Sequence, residues 1–258
     1  MRTALSNGGR TLRHIGIAGI ECFDGPCDPG IRKICGSCSV RPMKVYVGNE
    51  GRHSGRALMA EMGYGVLFTA HYGNPDRYIY YCLDNGAYGA WSSGRTYDSG
   101  PFERALEKLL KHEKQPDFSV IPDIVAGGID SLEYSLSWLS KLPKGGRYYL
   151  AVQDGMKPQD LEGHLDGISG LFVGGTLDWK INTGECWVKY AHSKHLNCHI
   201  GRAGTFNRIL WASRIGADSI DSMSWARHDS YHILESANAQ QSLTAQTIRD
   251  NHKEKVKE

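Results

Sequence analysis

The chain has 258 residues, 40% of them hydrophobic and 22% charged, which suffices for one sizeable core and is an ordinary length for a (β/α)8 barrel. No run approaches the roughly 20 apolar residues that span a bilayer, and the opening MRTALSNGGR lacks the apolar stretch of a signal peptide; the expectation is a soluble, cytoplasmic protein with no membrane partner. The net charge of +2 excludes little as a total, but residues 1–56 carry nine Lys/Arg against four acids, a segment of +5 beside a remainder of −3, and that basic face either meets phosphates or is a solvated surface.

Residues 1–43 come first, an irregular extension with Cys22, Cys27, Cys35 and Cys38 inside seventeen residues. In a reducing compartment clustered thiols suggest metal more than disulfides. Four thiols with a Cys-x2-Cys half-site are enough for a closed, structural zinc site, with an iron–sulfur cluster or unligated thiols as the alternatives. From residue 44 onward eight β-rich runs follow: KVYVG (44–48), GVLFTA (65–70), IYYCLD (79–84), FSVIPDIV (118–125), YYLAVQ (148–153), GLFVGG (170–175), CHIG (198–201) and DSIDS (218–222).

Between these runs lie segments with apolar residues three and four apart, as over 101–112, 130–142 and 205–216. Asp130 or Ser131 reads as an N-cap and Gly216 as a C-cap. Eight alternations in about 180 residues predict a closed (β/α)8 TIM barrel over 44–229, with a doubly wound open sheet as the competing architecture. Residues 230–258 read as a terminal helix and a charged tail.

Barrel enzymes carry their reactive groups at the C-terminal ends of the strands, because those ends converge on one mouth. Here the strand ends supply His71, Asp84, Asp123, Gln153 with Asp154, Gly174 with Gly175, Arg202 and Asp221. A single Asp at a strand end often does no more than cap the next helix. Asp84-Asn85-Gly86-Ala87-Tyr88 differs, since small residues flank the carboxylate and an aromatic follows, a loop on which a flat ligand can approach the backbone and stack. His71 reads as a mouth residue or a structural histidine, Arg202 and Arg227 as phosphate contacts or surface ion pairs, and Cys186, His192, His195 and Cys198 as packing and surface residues.

These residues also fall in the order of a known family. Asp84-Asn85-Gly86-Ala87-Tyr88 resembles the Asp-Ser-Gly-Gly-Tyr/Phe of the tRNA-guanine transglycosylases, and Pro122-Asp123-Ile124-Val125 resembles their Ser-Asp-Ile-Val. Val152-Gln153-Asp154-Gly155 is similar to Val-Gln-Gly-Gly, the segment 170–175 to Gly-Leu-Ala-Val-Gly-Glu, and Ala203-Gly204-Thr205 to Val-Gly-Thr. The segment 216–222 with Arg227 is similar to the nucleophile segment Gly-Val-Asp-Met-Phe-Asp-Cys and its trailing Pro-Thr-Arg.

The resemblance implies Asp221 as nucleophile, forming a covalent glycosyl-enzyme, and Asp84 as the acid/base for departing and incoming bases. It further implies Asp123 as acceptor for the guanine N1–H and 2-amino group, Gln153 and the Gly170 N–H as donors to O6, Tyr88 as a stacking partner for a flipped-out base, and Gly174 and Arg227 at the substrate. No metal is needed for this displacement.

The zinc-binding cysteines of the tRNA enzymes follow the nucleophile segment, whereas here no Cys follows Cys198, and Ser222 stands in place of Cys. These departures fall where the polymer binds. They turn the expectation from tRNA, the alternative, towards DNA as in the DpdA-type 7-deazaguanine DNA transglycosylases, with a base such as preQ0 as co-substrate and a homodimer or accessory proteins as partners. A barrel that binds nucleic acid through its basic N-terminal segment without catalysis is the reading from another class.

Overall fold

The structure, a computed structural model, describes residues 12–15, 21–23, 43–70 and 73–240. It forms two compact units, one of Met43–Glu235 and one of Met1–Pro42 with Ser236–Glu258. In the latter, β1 (Leu12–Ile15) and β2 (Glu21–Phe23) pair antiparallel, Leu12 opposite Phe23 and Ile15 opposite Glu21. The zinc site expected at Cys22, Cys27, Cys35 and Cys38 lies outside the described residues, save for the backbone of Cys22 in β2, and so does His71.

Met43–Glu235 is a closed barrel of eight parallel strands: β3 (Lys44–Gly48), β4 (Gly65–Phe68), β5 (Tyr81–Leu83), β6 (Ser119–Val120), β7 (Tyr148–Val152), β8 (Gly170–Val173), β9 (Asn197–Ile200) and β10 (Ser219–Ser222). Closure comes from β10 pairing with β3, Asp221 opposite Tyr46, so the open doubly wound sheet is ruled out. Seven of the eight predicted runs contain their strand, and β9 starts one residue before its run, at Asn197. β5, β6 and β7 are shorter than their runs because Asp84, Asp123 and Gln153 have already left the ladder to enter the mouth loops. Strands such as YYLAV are buried throughout, as expected where one face lines the barrel and the other meets helices.

The outer helices are α1 (His53–Glu61), α2 (Ala87–Ser92), α3 (Gly100–Leu110), α4 (Gly128–Trp138), α5 (Leu177–Ser193), α6 (Phe206–Ile215) and α7 (Ser224–Arg227). In α3 the buried Phe102, Ala105, Leu106 and Leu109 make one stripe at helical spacing. As expected, α6 stops at Gly216, which takes φ +85°. The expected cap of α4 is corrected: Gly127 caps that helix, Asp130 sits in its first turn, and Ser131 turns inward to accept a hydrogen bond from the Ile124 N–H at 3.1 Å. Among the described residues, the β4–β5 and β7–β8 links contain only the 3-10 turns Pro75–Arg77 and Pro158–Leu161 in place of α-helices.

The barrel interior is filled by Tyr46, Leu67, Cys82, Phe118, Val120, Tyr149 and Ala151, with Tyr80 and Phe172 against them. The rings of Phe118 and Tyr149 stack with centroids 3.9 Å apart, part of a packed plug beneath the C-terminal ends of the strands, where barrels of this class place their ligands. No helix of the described residues is long and apolar enough to cross a membrane.

Candidate active site

Above the plug opens a cavity of about 560 Å³, and its walls include Asp84, Asp123, Gln153, Gly174, Asp221, Tyr88 and Arg227. Seven of the eight residues expected to bind or react thus face one space. Gly170 does not. It opens β8, three residues before that strand reaches the mouth, and an added Cβ there would come within 2.5 Å of the Tyr149 ring. Its role is therefore packing: the absent side chain makes room for Tyr149 in the plug, and the expected contact of its N–H with the base is withdrawn.

Asp84 leaves β5 with its N–H bonded to the Phe68 carbonyl at 2.7 Å. The turn after it needs Gly86, which takes φ +86° and donates its N–H to Asp84 Oδ2 at 3.3 Å. Burial, then the charges of Asp221 and Asp123, push the Asp84 carboxyl up to about 7. Asp123 is raised as well, chiefly by burial, although hydrogen bonds from Asn85 and Gln153 oppose the shift.

The loop that carries Asp123 is pinned from two sides. Asn85, buried, donates to the Ile121 carbonyl and to Asp123 Oδ1, both at 2.8 Å. From below, Ser135 Oγ donates to the Pro122 carbonyl at 2.9 Å. Gln153 Nε2 lies 3.2 Å from Asp123 Oδ2, 2.9 Å from the Ile124 carbonyl and 2.7 Å from Ser131 Oγ. With two hydrogens and three protein acceptors, the nearer two being Ser131 and Ile124, that nitrogen is fully engaged within the protein, and the expected donation to O6 requires one of these bonds to be exchanged. Each carboxylate oxygen offers two lone pairs, so Asp123 keeps acceptor capacity towards the cavity.

Asp221 is 4% exposed. Its Oδ2 lies 2.8 Å from His199 Nε2, and its Oδ1 accepts the Arg202 N–H at 3.3 Å. Arg202 adopts a left-handed φ of +59°, uncommon for a side chain larger than glycine and a feature that concentrates at functional sites. Its guanidinium donates to the Gly175 carbonyl and lies over the Tyr88 ring, 4.4 Å from the centroid. Trp91, Arg208 and Arg227 also line the opening, so the rim is aromatic and cationic while the floor is acidic.

Two buried groups escaped the sequence reading. His199 lies beneath the cavity; the cue was its position two residues before Gly201 on a strand, but which face of β9 points inward is set only by the closed barrel. Lys180 lies on α5, where a lysine ordinarily reaches solvent. Here its amine donates to the Gly201 carbonyl, and burial, then Arg202, lower it to about 7. No local signal marks it.

The cysteine and histidine group at 186–198 is packing and surface as expected: Cys186 is exposed, Cys198 buried, and His192 Nε2 lies 2.8 Å from Asp218 Oδ2. Among the described residues no three potential metal ligands come together. Neither a family model nor a curated protein matches this chain.

Proposed function

We propose that the barrel is a glycosyltransferase that exchanges guanine in DNA for a 7-deazaguanine base such as preQ0, through a covalent intermediate on Asp221. The observation that carries this reading is the division of labour among carboxyls in one cavity: Asp84 poised at about 7, and Asp221 hydrogen-bonded on both oxygens. An acid/base that must be protonated in one half-reaction and ionised in the next works best with a pKa near the operating pH.

In the first half, a carboxylate oxygen of Asp221 attacks C1′ of a flipped-out nucleotide while Asp84 gives its proton to the departing guanine. In the second, Asp84 takes the N–H proton of the incoming base as that base attacks C1′ and releases Asp221. Two inversions give net retention at C1′. Asp123, with Asn85 and Gln153 holding it, accepts from the N1–H and 2-amino edge of guanine, and Tyr88 stacks on the ring once Arg202 yields that face. Arg227 and Arg208 at the rim meet the backbone phosphates.

The test is incubation with labelled preQ0 and either duplex DNA or tRNA. Label retained in DNA supports the reading, label retained only in tRNA moves the same chemistry to that polymer, and label in neither overturns it. An acid-stable adduct mapped to Asp221 identifies the nucleophile. Asp221→Ala is expected to abolish exchange while polymer binding persists; intact function in that variant points instead to a barrel that only binds nucleic acid. We propose separately that the four N-terminal cysteines hold one structural zinc, and less than about half an equivalent of metal in freshly purified protein ends that proposal.

A further inference from the structure

Among the buried titratable groups that the base-exchange steps leave unused, His199 is the one bonded to the nucleophile itself. His199 is fully enclosed on β9, its ring stacked on Phe172 with centroids 4.7 Å apart and tilted against Tyr46 and Phe118. Close-packed rings on these sides leave the imidazole little freedom to turn. Its nitrogens have separate partners, Nε2 at 2.8 Å from Asp221 Oδ2 and Nδ1 at 2.8 Å from Ser219 Oγ. A carboxylate can only accept, so Nε2 carries a hydrogen; in the neutral ring Nδ1 then accepts from the Ser219 hydroxyl, which has a proton to give. Asp221 Oδ1 has the longer bond, 3.3 Å, from the Arg202 N–H.

We propose that His199 is a positioning residue that selects which oxygen of Asp221 reacts, retaining Oδ2 and presenting Oδ1 to C1′. The inference rests on the base-exchange reading and adds the atom that attacks. The C1′–Oδ1 bond forms as the C1′–N bond breaks; that bond's electron pair leaves with the base, which takes the Asp84 proton. Oδ2 becomes the ester carbonyl, still accepting from His199. When the incoming base attacks C1′ and loses its proton to Asp84, the C1′–Oδ1 pair returns to the carboxylate, and the same N–H meets the charge shared by Oδ2. His199 neither gains nor loses a proton in the cycle.

The experiment is single-turnover adduct formation on labelled DNA, with polymer affinity measured separately, in wild type, His199→Phe, His199→Gln and Ser219→Ala. Phe keeps a flat ring among the aromatic neighbours and deletes the donor. The expected result is an adduct rate lower by about 10²-fold, the order of loss when a reacting group is misplaced by about 1 Å, with affinity unchanged. His199→Gln, which restores an N–H at similar reach, recovers most of the rate. A His199→Phe protein that folds and forms adduct at the wild-type rate overturns the proposal and leaves base exchange standing. Absence of adduct in the wild type overturns both. If His199→Phe shows no cooperative unfolding transition, Ser219→Ala decides, because it keeps the ring but removes the partner that fixes its tautomer: a several-fold slower adduct supports the proposal, and an unchanged rate overturns it.

Discussion

Asp84 shows how much of this site rests on the placement of single charges. Burial, and then the charges of Asp221 and Asp123, hold its carboxyl at about 7 against an ordinary 3.8, so at neutral pH it exists in both forms. In the proposed base exchange, guanine release needs the protonated form, and its rate is therefore expected to fall as pH rises through about 7, which single-turnover kinetics across pH 5.5–8.5, about three units, will read. The linkage to stability has the same direction. A carboxyl whose folded pKa is raised contributes fully below its unfolded pKa and loses that contribution as pH rises through the folded value. Asp84→Asn, which cannot ionise, is thus expected to be more stable than wild type above about pH 7, with the difference closing towards acid pH; urea unfolding at two pH values checks this.

At the scale of elements, the mouth is assembled by contacts between neighbouring strand ends. Asn85 after β5 holds Asp123 after β6, Ser131 and Ser135 on α4 hold the same loop, and Asp154 after β7 accepts the Thr176 N–H at the start of α5, at 2.7 Å. Beneath them the plug fixes the relative height of the strands. Gly170→Ala forces a methyl into the Tyr149 ring, and overpacking of a dense interior costs about 1–3 kcal/mol; denaturant unfolding will show that loss, while the variant that remains folded keeps its affinity for the base. A fall in base affinity at unchanged stability in Gly170→Ala returns that residue to the binding site.

At the scale of the whole molecule, an acidic floor under a cationic, aromatic rim suits a substrate that is an uncharged base attached to a charged backbone. Polymer affinity is expected to fall with rising salt, as counterion release requires. Replacing Arg227 by Ala is expected to weaken binding alike across sequences and to reduce the magnitude of the salt slope by about one. Equilibrium binding at several salt concentrations measures both, and an unchanged slope removes Arg227 from the phosphate contacts.

The sequence by itself determined the barrel and the strand-end acids, because both are written in local pattern. Runs of β-branched and aromatic residues alternate with helical periodicity, and Asp84, Asp123 and Asp221 each sit where such a run ends. Gly216 as a C-cap was legible for the same reason, since only a left-handed residue ends the helix that way. What local pattern does not contain is register. Gly170 and Gly174 belong to one fragment, yet four residues of strand separate the plug from the mouth. Gln153 reads as a ligand until Asp123, Ile124 and Ser131 are seen to take its nitrogen, and Ser131 reads as a cap until it turns inward. The pairing of His199 with Asp221, and of Lys180 with Gly201, joins segments 22 and 21 residues apart. Only the tertiary structure decided these, because inward and outward alternate with every residue along a strand, and closure of the barrel fixes which is which.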